Sequence, residues 1–131
     1  MPFNDRVKAG QLINFDGLRW GKKSMSDIDA MFEYKNKLFV VIEYKYKDSP
    51  LPLGQKIALT TLVDTLNQVK PALLIIASHS TPSHEGDIDA ASAIVTKMYG
   101  RNGWINISDK PQQNVKSVVE RFVYDKTGDK L

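Results

Sequence analysis

The sequence predicts an α/β (α+β) domain in which helices flank a central mixed β-sheet. Three observations predict it. Leu38-Phe39-Val40-Val41-Ile42 and Ala72-Leu73-Leu74-Ile75-Ile76-Ala77 are continuous apolar runs of strand length, as expected of strands covered on both faces. Between them Ala58, Leu59, Leu62, Val63 and Leu66 recur at helical spacing. Strand and helix signals alternate in mixed order, which indicates helices layered on one sheet. At 131 residues the chain reads as one domain over 1–131, long enough to bury a core.

Taken in order, residues 4–14 read as a short amphipathic helix carrying Val7, Leu12 and Ile13, weakened by Gly10. Residues 15–26, with two glycines, Trp20 and three basic residues, read as a loop or short edge strand. A strand over 27–34, a polar turn at Lys35-Asn36-Lys37 and a strand over 38–45 form a hairpin. Pro50 and Pro52 mark a loop, a helix follows over 55–68, and Pro71 stops it. A strand over 72–77 leads into a loop at 78–86. Residues 88–98 read as a strand, with a turn from Gly100 to Gly103 and a short strand through Trp104-Ile105-Asn106-Ile107. Pro111 is expected to open a last helix with Val115, Val118, Val119 and Phe122 on one face, and the polar tail from Asp125 to fray. The tetrapeptide Asp-Ile-Asp-Ala occurs at 27–30 and 87–90 with nothing similar around it, which reads as coincidence.

Composition excludes several chemistries. There is no cysteine, so disulfides, thiolate nucleophiles and Cys-bound zinc are out. Two histidines argue against a His-rich metal site and leave oxygen ligands and hard cations. The N-terminal residues form no apolar signal region and no run reaches membrane-span length, so a cytoplasmic protein without a membrane partner is expected. The net charge of +3 and pI of 9.1 lean toward a polyanionic partner.

Within this frame the acids of the hairpin stand out. Asp27-Ile28-Asp29 and Glu43-Tyr44-Lys45 are set into strand-like sequence, where acids are disfavoured. Alternation puts Asp27 with Asp29, and Glu43 with Lys45, on shared faces, so a hairpin can bring Asp29 and Glu43 onto one cation. Oxygen ligands alone favour Mg²⁺, with Mn²⁺ as a substitute. Such a cation beside a lysine suits phosphodiester hydrolysis. Lys45 can orient the attacking water, stabilise developing charge or act as a base.

An acid followed by Glu-x-Lys at the end of the next strand resembles the PD-(D/E)XK nuclease superfamily. Here the residues are Ser26-Asp27-Ile28-Asp29, Val41-Ile42-Glu43-Tyr44-Lys45 and Leu53-Gly54-Gln55. The stretch from Ser26 to Gln55, about a quarter of the chain, is similar to small stand-alone phage and prophage members grouped with virus-type replication-repair nucleases and junction resolvases. The resemblance implies a restriction-endonuclease-like sheet and a Mg²⁺-dependent phosphodiesterase acting on DNA, or else on RNA. It makes Asp29 and Glu43 metal ligands, Lys45 the catalytic lysine and Gln55 a polar residue beside the site. Two departures accompany it. The motif's proline is missing, with Met25 and Ser26 before the acid, and no glutamate lies between Met1 and Ala30, where many members carry one. Asp5 or Gln11 can stand in, or one metal is used. Asp27 is the alternative ligand to Asp29, whose spacing to Glu43 fits better.

Each remaining feature has a plainer reading. Arg19, Trp20, Lys22 and Lys23 form a basic-aromatic patch that suits nucleic acid, or else a core edge with solvated lysines. Lys47 extends positive charge past the second strand. Asp87, Asp89 and Glu33 read as solvated, His79 and His84 as loop residues, and Trp104 as core. The expected function is structure-selective or weakly sequence-specific DNA cleavage, with a homodimer open to the chain. The alternative is an inactive nuclease-fold module that binds nucleic acid or a phage or host protein.

Overall fold

A computed structural model describes residues 11–82 and 85–131. The helix expected over 4–14 falls largely outside them, and 11–14 are irregular and exposed. The described chain opens with a two-stranded antiparallel ribbon, β1 (Arg19–Trp20) and β2 (Lys23–Ser24), turned by Gly21 at a φ of 63°. The main body is β3 (Ala30–Tyr34), β4 (Leu38–Tyr46), α1 (Leu53–Asn67), β5 (Ala72–His79), β6 (Ile94–Gly100), β7 (Gly103–Asn106) and α2 (Val115–Thr127). Five strands form one sheet in the order β3-β4-β5-β6-β7. Only β4 and β5 pair in parallel. This is the expected mixed sheet flanked by helices.

Burial follows from alternation. On one face Leu38, Val40, Ile42, Ile75, Ala77 and Val95 pack on Val115, Val118 and Val123 of α2. On the other Val41, Leu74 and Ile76 pack on Leu59 and Val63 of α1. The two apolar runs of the sequence are therefore covered on both faces, as parallel neighbours are. β3 is an edge strand with Ala30, Phe32 and Tyr34 turned inward and Met31 and Glu33 exposed. Its hairpin to β4 turns at Lys35 and Asn36, both left-handed (φ 47° and 63°), the pairing of a type I′ turn.

The boundaries differ from expectation where side chains compete with the backbone. The strand expected over 27–34 starts only at Ala30, so Asp27 and Asp29 precede it. The Asp29 carboxylate takes the N–H of Tyr44 at 2.8 Å, which displaces strand pairing at that point. The strand expected over 88–98 starts at Ile94, because Asp89 bonds the N–H of Ala91 in a local turn. Pro111 does not open α2. Gln113 and Asn114 pair with β6 instead, and the Asn114 side chain caps the helix by accepting from Ser117 N at 2.8 Å. The tail does not fray. Gly128, at a φ of 77°, closes α2 on Tyr124 O, and Asp129 accepts the Tyr34 hydroxyl at 2.9 Å. Among the described residues no helix is long and apolar enough to cross a membrane.

Candidate functional site

The apolar pattern of β4 breaks at its C-terminal end, and the site lies there. Val41, Glu43 and Lys45 share the face covered by α1. Glu43 is 2% exposed, the only buried charged side chain among the described residues. The β3–β4 register pairs Ala30 with Ile42, so Asp29 falls opposite Glu43. The Asp29 charge lies close enough to act on Glu43. Asp29 itself is exposed and is held by its bond to Tyr44 N.

Gln55 arrives from the first turn of α1. Its Nε2 donates to Glu43 Oε1 at 2.6 Å, and its Oε1 accepts from Lys45 Nζ at 3.1 Å. Lys45 Nζ also lies 3.5 Å from Glu43 Oε1. All three contacts serve one edge of the carboxylate or the groups around it. The other oxygen, Oε2, is buried without a hydrogen-bond partner. Burial raises the Glu43 pKa above its ordinary 4.5, and the negative charge of Asp29 raises it further, against the opposing pull of Gln55 and Lys45. Tyr44 is raised too, by burial first and then by Asp29 and Asp89.

The structure thus brings Asp29, Glu43, Lys45 and Gln55 together. Asp27 lies in the exposed, irregular segment ahead of Asp29. Among the described residues no three of His, Cys, Asp and Glu gather as a metal cluster. Arg19, Trp20, Lys22 and Lys23 lie exposed on the separate ribbon, where Trp20 is not core. His79 is occupied structurally: its Nδ1 accepts from Thr81 N and its ring meets Tyr46 at 5.7 Å. His84 lies outside the described residues.

Lys47 lines a groove of about 510 Å³ that begins at Lys45. The same groove is lined by Lys56, Lys97 and Trp104, which sequence reading did not connect to the site. Trp104, expected in the core, stands on edge strand β7 with its ring 5.1 Å from Tyr99 and 5.4 Å from Lys56 Nζ. Register supplies the missing link. Glu43 pairs with Ile76 and Ile76 with Lys97, so one row of the sheet runs from the acid to a second lysine. No sequence signal aligns β6 with β4, because both pairings pass through β5.

The fold and site define a mixed-sheet α+β protein with a buried acid at a strand end. No protein-family model, curated protein or solved structure matches the chain.

Proposed function

We propose that this chain is a divalent-cation-dependent phosphodiesterase, a nuclease of the PD-(D/E)XK type acting on DNA. The observation that carries the reading is Glu43, a carboxylate 2% exposed with one oxygen unpartnered. A buried anion with an unpartnered oxygen and a like charge nearby is unfavourable alone. A hard cation shared with Asp29 relieves both faults, so these residues fit Mg²⁺, or Mn²⁺ in its place. Asp27 is the nearest further acid in sequence.

Bound there, the ion would supply an acidified water and draw charge from phosphoryl oxygens. The chain's own residues do the rest. The Lys45 ammonium, beside Glu43, stabilises charge developing on the phosphoryl group or orients the attacking water. Gln55 bridges the two and fixes their spacing. The net charge of +3 suits a DNA partner. A cytoplasmic, phage-type protein and a homodimer belong to the same proposal.

A second reading, a nuclease-fold module that binds without cutting, is favoured by the lack of a glutamate between Met1 and Ala30. The test incubates the protein with plasmid, single-stranded and branched DNA in Mg²⁺, Mn²⁺ or EDTA. Cleavage that requires the cation and falls at least about 100-fold in Lys45→Ala, far beyond any loss of binding in EDTA, supports the nuclease. Binding without cleavage of any substrate in either metal refutes it in favour of the module.

A further inference from the structure

We propose that the groove running from Lys45 to Trp104 holds single-stranded DNA, with an unpaired base on the Trp104 ring and phosphates on the lysines. The inference rests on the nuclease reading only in taking a polynucleotide as the partner.

Charge selects the occupant. Lys45, Lys47, Lys56 and Lys97 line the groove against one acid, Asp48. Four ammonium groups around a single carboxylate give a positive channel, the kind that tracks a phosphate backbone. Leu51, Ile76 and Ala77 add apolar lining. At about 510 Å³ the groove has the scale of small-ligand sites, thus of individual nucleotides rather than a double helix.

Trp104 selects the unpaired form. It is 36% exposed on an edge strand and backed by Tyr99 at 5.1 Å. A base paired within a duplex keeps its faces stacked on its neighbours, whereas an unpaired base offers a face to an aromatic ring. The Lys56 ammonium, 5.4 Å from the ring centroid, occupies that place in the free protein. This exposed cation–π contact is weak and readily exchanged. A base that displaces it gains the ring and leaves Lys56 free for the adjoining phosphate. Lys45 belongs both to the groove and to the Glu43–Gln55 cluster, so a strand seated on Trp104 passes beside Glu43.

The test measures binding of a dye-labelled oligothymidine and of a blunt duplex of equal length by anisotropy, in EDTA, with the full chain. Trp104→Ala should weaken single-strand binding about ten-fold, as loss of one stacked base does, and leave duplex binding within about two-fold. Trp104→Phe, which keeps a ring, should recover most of the loss, separating stacking from misfolding. Lys97→Gln should lower the salt dependence of single-strand binding by about 0.7 in log–log slope. Equal single-strand affinity in Trp104→Ala, or a wild-type preference for duplex, overturns the proposal. Because no cleavage is read, a protein that binds as described but never cuts sinks the nuclease reading and leaves the groove standing. Cleavage unaffected by loss of Trp104, with unchanged binding, does the reverse.

Discussion

Replacing Glu43 with glutamine tests the site through stability, without any substrate. The carboxylate is 2% exposed, and its Oε2 has no partner. The substituted amide would keep an acceptor for Gln55 Nε2 and remove the buried charge, while its NH2 would take the unpartnered Oε2 position. It would also give up the ion pair to Lys45 at 3.5 Å, whose side chain is 19% exposed. An unsatisfied buried group costs about 1–3 kcal/mol, more when charged, and a partly exposed pair returns about 1 kcal/mol or less. Because the amide NH2 stays unpartnered, only the excess cost of the charge is recovered, and the net expectation is that Glu43→Gln stabilises the protein by about 1 kcal/mol at pH 7, or roughly 4 °C in Tm for a chain of this size.

The pH dependence gives the prediction its sign. The folded-state pKa of Glu43 is raised above the ordinary 4.5. Between the two values the native state holds more protons than the unfolded state, so this group's contribution is greatest below pH 4.5 and is lost as pH rises through the folded value. The stability difference between variant and wild type should therefore be small near about pH 4 and grow toward about pH 7. Differential scanning calorimetry across that range reads both. With Mn²⁺ at about 100 times its Kd, the wild type should gain about 2.7 kcal/mol and the variant far less. A variant less stable than the wild type at neutral pH, or a difference flat across pH, refutes the buried-charge reasoning.

Other expectations follow from single contacts. Asp29→Asn keeps an acceptor for Tyr44 N but removes the charge facing Glu43, so the Glu43 pKa should fall toward its ordinary value and Mn²⁺ stabilisation should weaken, read by carboxyl NMR titration and thermal shift. Asn114→Ala removes the side-chain cap of α2 and should cost about 1 kcal/mol by denaturant melt, with no effect on DNA binding. Leu74→Ala, at a residue 0% exposed under α1, should cost about 3–5 kcal/mol by the same measurement.

The core of the fold was legible because its signal is local. The apolar runs at Leu38 and Ala72 and the stripe on α1 identify the two central strands and one helix, and burial on both faces bears this out. The edges were less legible. Asp29 and Asp89 use their carboxylates to hold backbone N–H groups, and both strands start later than the pattern suggests. Pro111 signalled a helix start, but pairing of the next residues with β6 was stronger. The cluster of Asp29, Glu43, Lys45 and Gln55 was legible because a hairpin and a following helix join it over short separations. The groove lysine Lys97 and Trp104 were not, because their approach depends on strand order across β5.

Not every contact at the site argues equally for function. β4 and β5 run parallel, so α1 must begin near the end of β4 to carry the chain back. Some residue of the first turn of α1 then has to meet the last residues of β4. Gln55 touching Lys45 and Glu43 is partly a consequence of that topology, and a purely structural protein of the same order would show a similar meeting. Topology does not require an acid at position 43, two residues beyond the fully buried Val41 on the same face. A valine or isoleucine there would extend the core against Leu59 and cost nothing in solvation. It requires still less a second acid opposite it and a carboxylate oxygen left without a donor. Those three features oppose stability together, and the proposed cation site would account for all three at once.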